Sequence, residues 1–265
     1  SPLRHTPWTK LLGTWSLKSS PNYIFFDLFT RLVSPYDLNP FDYNPLRDLV
    51  AEMVDFDKVM ACEDMGIFIA ATNVETGRVR VFEREEITLD AVMASACLPL
   101  LYKAVEIDGV PYWDGGFMGN PPLHPFFHKS PSDDIVIVQI NPVYREGIPR
   151  SAQDIQNRLN EITFNSSLLH ELRAIDFVTR LLDSGKLDTD HYSRVNIHII
   201  ESRKRMRELD ASSKLNADWA FLLHLFEIGR ESAAKWLDKN YDDLGKRSTV
   251  DVRGMFQGVA TLPNA

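Results

Sequence analysis

Cysteine is nearly absent: Cys62 and Cys97 are the only two in 265 residues, each among apolar neighbours and neither in a CxxC pair. That excludes a disulfide framework and a zinc knuckle, and two buried thiols suit a reducing compartment. Positive charge is also in deficit, with 29 Lys and Arg against 37 Asp and Glu and a formal net of -8. A surface that tracks phosphates along nucleic acid needs the opposite balance. No run approaches the roughly 18 apolar residues of a membrane span, and Ser1 to Lys10 has neither the basic start nor the apolar centre of a signal peptide. The chain as given therefore reads as cytoplasmic, although its opening, SPLRHTPW, carries no initiator methionine. Glycine is thin where chemistry would want it. The only pairs four apart are Gly115 with Gly119 and Gly254 with Gly258, centred on Phe117 and Phe256, so no G-x-S-x-G nucleophile elbow exists here. No two glycines lie two apart, which removes G-x-G-x-x-G and any candidate glycine-rich oxyanion loop. Internal repeats and low-complexity tracts are missing as well.

What is present is a globular composition, 44% hydrophobic, long enough for one large domain or two small ones. The first 45 residues are broken by Pro21, Pro35, Pro40 and Pro45, with the apolar stretch Tyr23 to Val33 between them, so short helices joined by fixed turns are predicted as a surface excursion. From Pro45 the spacing of Leu46, Leu49, Val50 and Met53 predicts an amphipathic helix ending near Asp55. Gly66 to Thr72 reads as a strand covered on both faces, and Arg78 to Phe82 alternates like an edge strand, with Asn73 and Gly77 marking the turn between. Leu89 to Cys97 reads as a helix and Asp134 to Ile140 as a second fully apolar strand. Beyond Pro149, Ile155, Leu159, Ile162, Leu169, Leu172, Ile175, Val178 and Leu182 mark one face of a helix some thirty residues long. Val195 to Ile200 returns to strand character, and Trp219, Leu222, Phe226, Ala233 and Trp236 line a second long helix. Buried strands among helices make an α/β chain.

The informative stretch is Ala94 to Pro122, ASACLPLLYKAVEIDGVPYWDGGFMGNPP. Asp108-Gly109 between apolar flanks predicts a two-residue hairpin pairing Lys103 to Ile107 with Val110 to Trp113, and Pro111 suggests that the second strand is an edge. The hairpin delivers Asp114 at a strand end, followed by Gly115 and Gly116, which admit backbone angles closed to other residues and allow another segment to approach. An acid in that setting is a site candidate; an Asx turn completed by glycines is the plain alternative.

The array Asp114-Gly115-Gly116 with Asn120 and Pro122, preceded by SACLP and the hairpin, resembles the catalytic-aspartate block of the patatin-like phospholipase family. Ala71-Thr72-Asn73 with Thr76-Gly77 is similar to that family's strand and turn leading into the block, and the resemblance covers roughly residues 45 to 145. It implies an α/β fold with a central, largely parallel sheet flanked by helices. Residues 1 to 150 would be the downstream part of the catalytic domain without its opening strands, and 151 to 265 a mainly helical extension packing on it. It also implies a serine–aspartate dyad hydrolysing a lipid ester, with Asp114 as general base, Gly115, Gly116 and Asn120 supporting it, and the serine upstream of this chain. A carboxylate with an ordinary pKa near ~3.9 is a weak base for a hydroxyl, so burial beside Trp113, Phe117 and Met118 is expected to strengthen it. No cofactor and no metal are implied. The expected partners are a lipid or acyl-ester substrate and a membrane surface touched peripherally, with no nucleic acid. An inactive scaffold that binds lipid or protein, or an unrelated α/β domain in which DGG is a turn, remain the alternatives.

Other candidates are weaker. Ser95 near the helix end is a conceivable stand-in nucleophile, and Ser16 reads as a turn or cap. His124 and His128 follow Asp114 without companions at metal-ligand spacing. Arg203, Lys204, Arg205 and Arg207 form a basic run that reads as a solvated face before it reads as a headgroup contact. Phe164, Trp219, Phe221, Phe226 and Trp236 are ordinary core before they are an acyl-chain wall.

Overall fold

A computed structural model of the chain describes residues 15, 17, 20–129, 131–209 and 211–258. Ser16 lies outside them. In chain order the elements are helices α1 (Pro21–Leu32), α2 (Pro35–Leu38), α3 (Pro45–Met53) and α4 (Phe56–Ala61), strands β1 (Phe68–Asn73) and β2 (Val79–Glu83), helix α5 (Leu89–Ser95), and strands β3 (Val105–Ile107) and β4 (Val110–Asp114). Then come α6 (Phe126–Lys129), β5 (Asp134–Gln139), α7 (Ala152–Asp183), β6 (Asn196–Glu201), α8 (Arg203–Arg207), α9 (Trp219–Asn240) and α10 (Val252–Gln257). Two compact units result: Asp27–Phe126, and the described part of Ser1–Phe26 with Phe127–Ala265.

The chain marks its helix starts with side-chain caps. Asn44 accepts from Leu46 N–H ahead of Pro45, Asp55 from Lys58, Thr88 from Ala91, Ser151 from Asp154, Asp218 from Ala220 and Asp251 from Gly254. Each satisfies one of the donors that a helix start leaves open, worth about 1 kcal/mol.

The first unit is built on a four-stranded sheet in the order β2-β1-β4-β3, antiparallel throughout. The expected largely parallel sheet is therefore corrected. Short connections decide two of the three pairings, β1 with β2 and β3 with β4, since a tight turn can only fold a chain back on itself, whereas parallel neighbours need a long crossover. The hairpin turn is at Asp108 and Gly109, both with positive φ (52° and 77°), as a two-residue primed turn requires. β4 is not an edge, because β1 pairs with it on the other side. Pro111 is tolerated because it lies past the last β1 register pair, Asn73 with Tyr112, and its carbonyl faces that side to accept Val74 N–H at 2.9 Å. The core joins Ala71, Phe82, Ala91, Ala94 and Tyr112, with Phe82 edge-on to Tyr112 at 5.6 Å. Ala91 and Ala94 put no bulk between α5 and the strands, so the helix backbone packs close to the sheet.

The second unit holds the only parallel pairing among the described residues, β5 with β6, joined by a crossover through α7. Leu168, Leu172 and Ile175 of α7, Ile197 and Ile199 of β6, and Phe221 and Ile228 of α9 are buried. β5 is covered on one face only: Ile135 and Ile137 are buried, while Val136 and Val138 are 45% and 70% exposed. The predicted helical stripes are also buried in part. Ile155, Leu159 and Ile162 face water on α7, as do Trp219, Leu222 and Phe226 on α9, whose buried side is Phe221 and Ile228. A clasp around the buried His198 ties β5 to the chain after α9. The ring of His198 contacts Asp134 Oδ1 at 2.9 Å and Thr249 Oγ1 at 3.1 Å, and Asp134 Oδ2 accepts Gly245 N–H at 2.8 Å. Among the described residues no helix is long and apolar enough to cross a membrane.

Candidate functional site

Asp114 ends β4 and caps the single 3-10 turn Gly115–Phe117. Its backbone is held from two sides. The amide donates to Cys97 C=O at 2.9 Å, just past α5, and the carbonyl accepts the Thr72 hydroxyl of β1 at 2.8 Å. The register pairs Asp114 with Ala71, a fully buried residue of the central strand. Gly115 follows in such close approach that a Cβ there would sit 2.1 Å from Ala70 O and 2.5 Å from Ala70 C. Only glycine fits. Neither Gly115 nor Gly116 has a positive φ, so close approach, and not a left-handed angle, is what Gly115 supplies.

The carboxylate is half-buried, and its Oδ1 accepts Gly116 N–H at 2.7 Å. That contact is an Asx turn, and it favours the ionised form, the one in which a general base must start. Phe117 and Met118, expected to cover the acid, are exposed, whereas Trp113 is half-buried. Gly119 is buried against Val79 and Pro122, where a Cβ would come within 3.0 Å of Val79 Cγ2. Asn120 is half-buried at the following bend, and the Asn120–Pro121 peptide is cis.

Thr72, the Cys97 carbonyl and Gly119 are the positioning groups that motif reading passed over. Thr72 and Gly119 stand inside the segments already singled out, and only the register of β1 on β4, and for Gly119 its packing on Val79, reveals their use. Cys97 is no substitute nucleophile. Burial pushes its thiol up to about 11, and the negative charges of Asp114 and Asp42 add to that effect. Its Sγ donates to Lys103 C=O at 3.1 Å, which suits a protonated thiol. Cys62 is half-buried, short of the burial expected for it. Ser95 is half-buried as the last residue of α5, and His124 is exposed; the side chain of His128 lies outside the described residues. Among the described residues no group of three or more His, Cys, Asp or Glu is placed to hold a metal ion.

No curated protein matches the chain. The model of the patatin-like phospholipase family does match, over residues 13–127. The matched stretch begins before residue 45, where the motif resemblance started, and ends before 145, at the close of the Asp114 block. Residues 13–127, the segment that carries Asp114 and the strand that clamps it, are thus similar to the patatin-like phospholipase family.

Proposed function

We propose that this chain is the aspartate-bearing part of a lipid acyl hydrolase working through a serine–aspartate dyad, with Asp114 as general base and the nucleophilic serine upstream of these residues. The observation that carries the reading is the clamp on Asp114. A carboxylate fixed at its amide, its carbonyl and one side-chain oxygen, beside a glycine that no other residue can replace, is positioned to a tolerance that a plain surface turn does not need. The family match over residues 13–127 agrees with it.

In this mechanism Asp114 takes the serine proton as the hydroxyl oxygen attacks the ester carbonyl. The proton passes to the departing alcohol, and an acyl-enzyme remains. Water, deprotonated by the same carboxylate, then releases the fatty acid and restores the serine. Gly115, Gly116 and Asn120 shape the loop that aims the acid. The oxyanion donors lie outside the glycine pattern of these 265 residues. A lipid or acyl ester is the substrate, met at a membrane surface from the cytoplasmic side.

A second reading has one observation in its favour. The Asx turn accounts for DGG without catalysis, and with no G-x-S-x-G in the sequence it suits an inactive scaffold that binds lipid or a protein partner.

Activity separates the two. The full-length protein is expected to hydrolyse p-nitrophenyl esters and to take a fluorophosphonate label, while the isolated 265-residue chain does neither. Asp114→Asn in the full-length protein is expected to lower kcat by about 10²–10⁴ while leaving the fold intact. An Asp114→Asn variant with unchanged kcat, or robust turnover by the isolated chain, overturns the dyad.

A further inference from the structure

The basic run after β6 divides its partners unequally. Arg203 pairs with Glu201 at 2.6 Å and Arg205 with Glu231 at 2.7 Å. Arg207, at the end of α8, forms no ion pair among the described residues. Its guanidinium lies over the Tyr144 ring at 5.2 Å, and its buried Nε has no hydrogen-bond partner among the described residues. A half-buried cation with an unspent buried donor is costly unless an anion completes it.

Arg207 opens onto a cavity of about 500 Å³, walled by three further arginines, Arg145, Arg150 and Arg158. Two of these are rigid. Arg145 grips Glu161 through Nε and Nη2 at 3.0 and 2.6 Å and donates from Nη1 to the carbonyl of Arg207 at 3.0 Å. Arg158 donates to Glu161 at 3.1 Å and to Val143 C=O at 3.2 Å. Both oxygens of Glu161 are thereby occupied. Of the other acids at the cavity, Asp154 accepts the Ser151 hydroxyl at 2.6 Å, while Glu146 and Glu208 are exposed, where solvent screens them. A smaller cavity of about 130 Å³, lined by Ile140, Phe164, Met206 and Phe221, shares Asn157 and Leu209 with this one. A cationic chamber thus adjoins an apolar one.

We propose that the cavity walled by Arg145, Arg150, Arg158 and Arg207 is a binding site for a phosphate monoester group, either free or as the head of a single-chain lipid. Phosphate is the chemistry that fits, because guanidinium forks bind its oxygens in pairs and Arg207 supplies charge that no carboxylate among the described residues has taken. The adjoining apolar cavity favours the lipid source. The site shares no residue with the Asp114 loop and stands whether or not the hydrolase reading holds.

The test is calorimetric titration of the full chain, at constant ionic strength, with inorganic phosphate, lysophosphatidate and lysophosphatidylcholine, the lipids kept below micelle formation. Saturable binding of phosphate and lysophosphatidate is expected, each weakened about tenfold or more by Arg207→Gln and unchanged by Lys204→Gln, an exposed member of the same run. Lysophosphatidate that binds tighter than phosphate and is displaced by it identifies a lipid headgroup; equal affinities identify free phosphate. Circular dichroism checks the fold of Arg207→Gln, and Arg150→Gln at the exposed rim carries the same expectation should that variant unfold. No saturable binding, equal binding of lysophosphatidylcholine, or undiminished binding in a folded arginine variant overturns the site.

Discussion

Gly115→Ala is the sharpest probe of the clamp on Asp114. The added methyl would lie 2.1 Å from Ala70 O and 2.5 Å from Ala70 C, well inside contact distance, and 3.0 Å from Ala70 Cβ. Both clashing backbone atoms belong to β1, the strand bonded to β2 on one side and β4 on the other, so neither can withdraw without breaking a ladder. Overpacking against mobile side chains costs about 1–3 kcal/mol, and fixed backbone places this case at about 3 kcal/mol or more. For a folding unit of this size each kcal/mol lowers Tm by roughly 4–8 °C, so a fall of roughly 12 °C or more is expected. Gly109→Ala is the matched control. Gly109 has φ +77° with nothing within 4 Å of its Cβ position, so alanine there meets only the left-handed penalty of about 1–2 kcal/mol. Differential scanning calorimetry gives the ranking, and hydrogen exchange over residues 68–73 and 110–114 shows where protection is lost. A Gly115→Ala protein that melts at or above the temperature of Gly109→Ala refutes the close approach, and with it the account of how Asp114 is aimed.

At pH 7.5 iodoacetamide is expected to label Cys62 and spare Cys97 in the folded chain, with both modified in urea; rapid labelling of Cys97 in the native protein refutes its protonated, buried state. Because folding raises the Cys97 pKa from its ordinary 9 to about 11, its contribution to stability is complete below pH 9 and is lost as pH climbs toward 11, which urea titrations at pH 8 and 11 would detect. Burial works against the charge on Asp134, but donors from His198, Asn196 and Gly245 outweigh it and hold its pKa below the usual carboxylate value. Its stabilising share is therefore present above the ordinary pKa and disappears as pH falls through the lower folded value. Asp134→Ala, which strips the fully buried His198 ring of an acceptor, is expected to cost about 2 kcal/mol in urea unfolding at pH 7 and to flatten the acid limb. Unchanged unfolding in that variant refutes the clasp.

What the sequence made legible was local. Asp108-Gly109 announced its turn because only residues at ease with positive φ close a two-residue hairpin. The long apolar period from Ile155 to Leu182 announced α7, which spans Ala152–Asp183. Sheet order was not legible, since which strand lies beside β4 depends on pairings between distant segments, such as Thr72 with Trp113. Expecting a largely parallel sheet set the whole-family picture above the short connections, which already demanded antiparallel pairs of β1 with β2 and β3 with β4. The stripe on α9 misled for a different reason. Trp219, Leu222 and Phe226 are spaced as a core face, but spacing states only that residues share a side, and here the buried side is the one holding Phe221 and Ile228.

The candidate site divides along the same line. Asp114, Gly115 and Gly116 could be singled out because strand, acid and glycines are adjacent in the chain. The clamp could not, because Cys97 C=O and Thr72 Oγ1 reach Asp114 from 17 and 42 residues away, separations that no local motif encodes. The two readings of DGG, turn and catalytic acid, are also less opposed than residue patterns suggest. The Gly116 N–H that makes the turn fixes one oxygen, and a donor to a carboxylate favours the charged form that a base requires while weakening its pull on a proton. Apolar cover would restore that pull, and Phe117 and Met118, expected to give it, are 37% and 48% exposed. If Asp114 is the base, the missing cover must come from the surface that also brings the serine. An Asp114 that works as a base only when that surface is present is what the dyad demands, and a full-length protein whose pH–rate profile shows no carboxylate limb would remove the need for it.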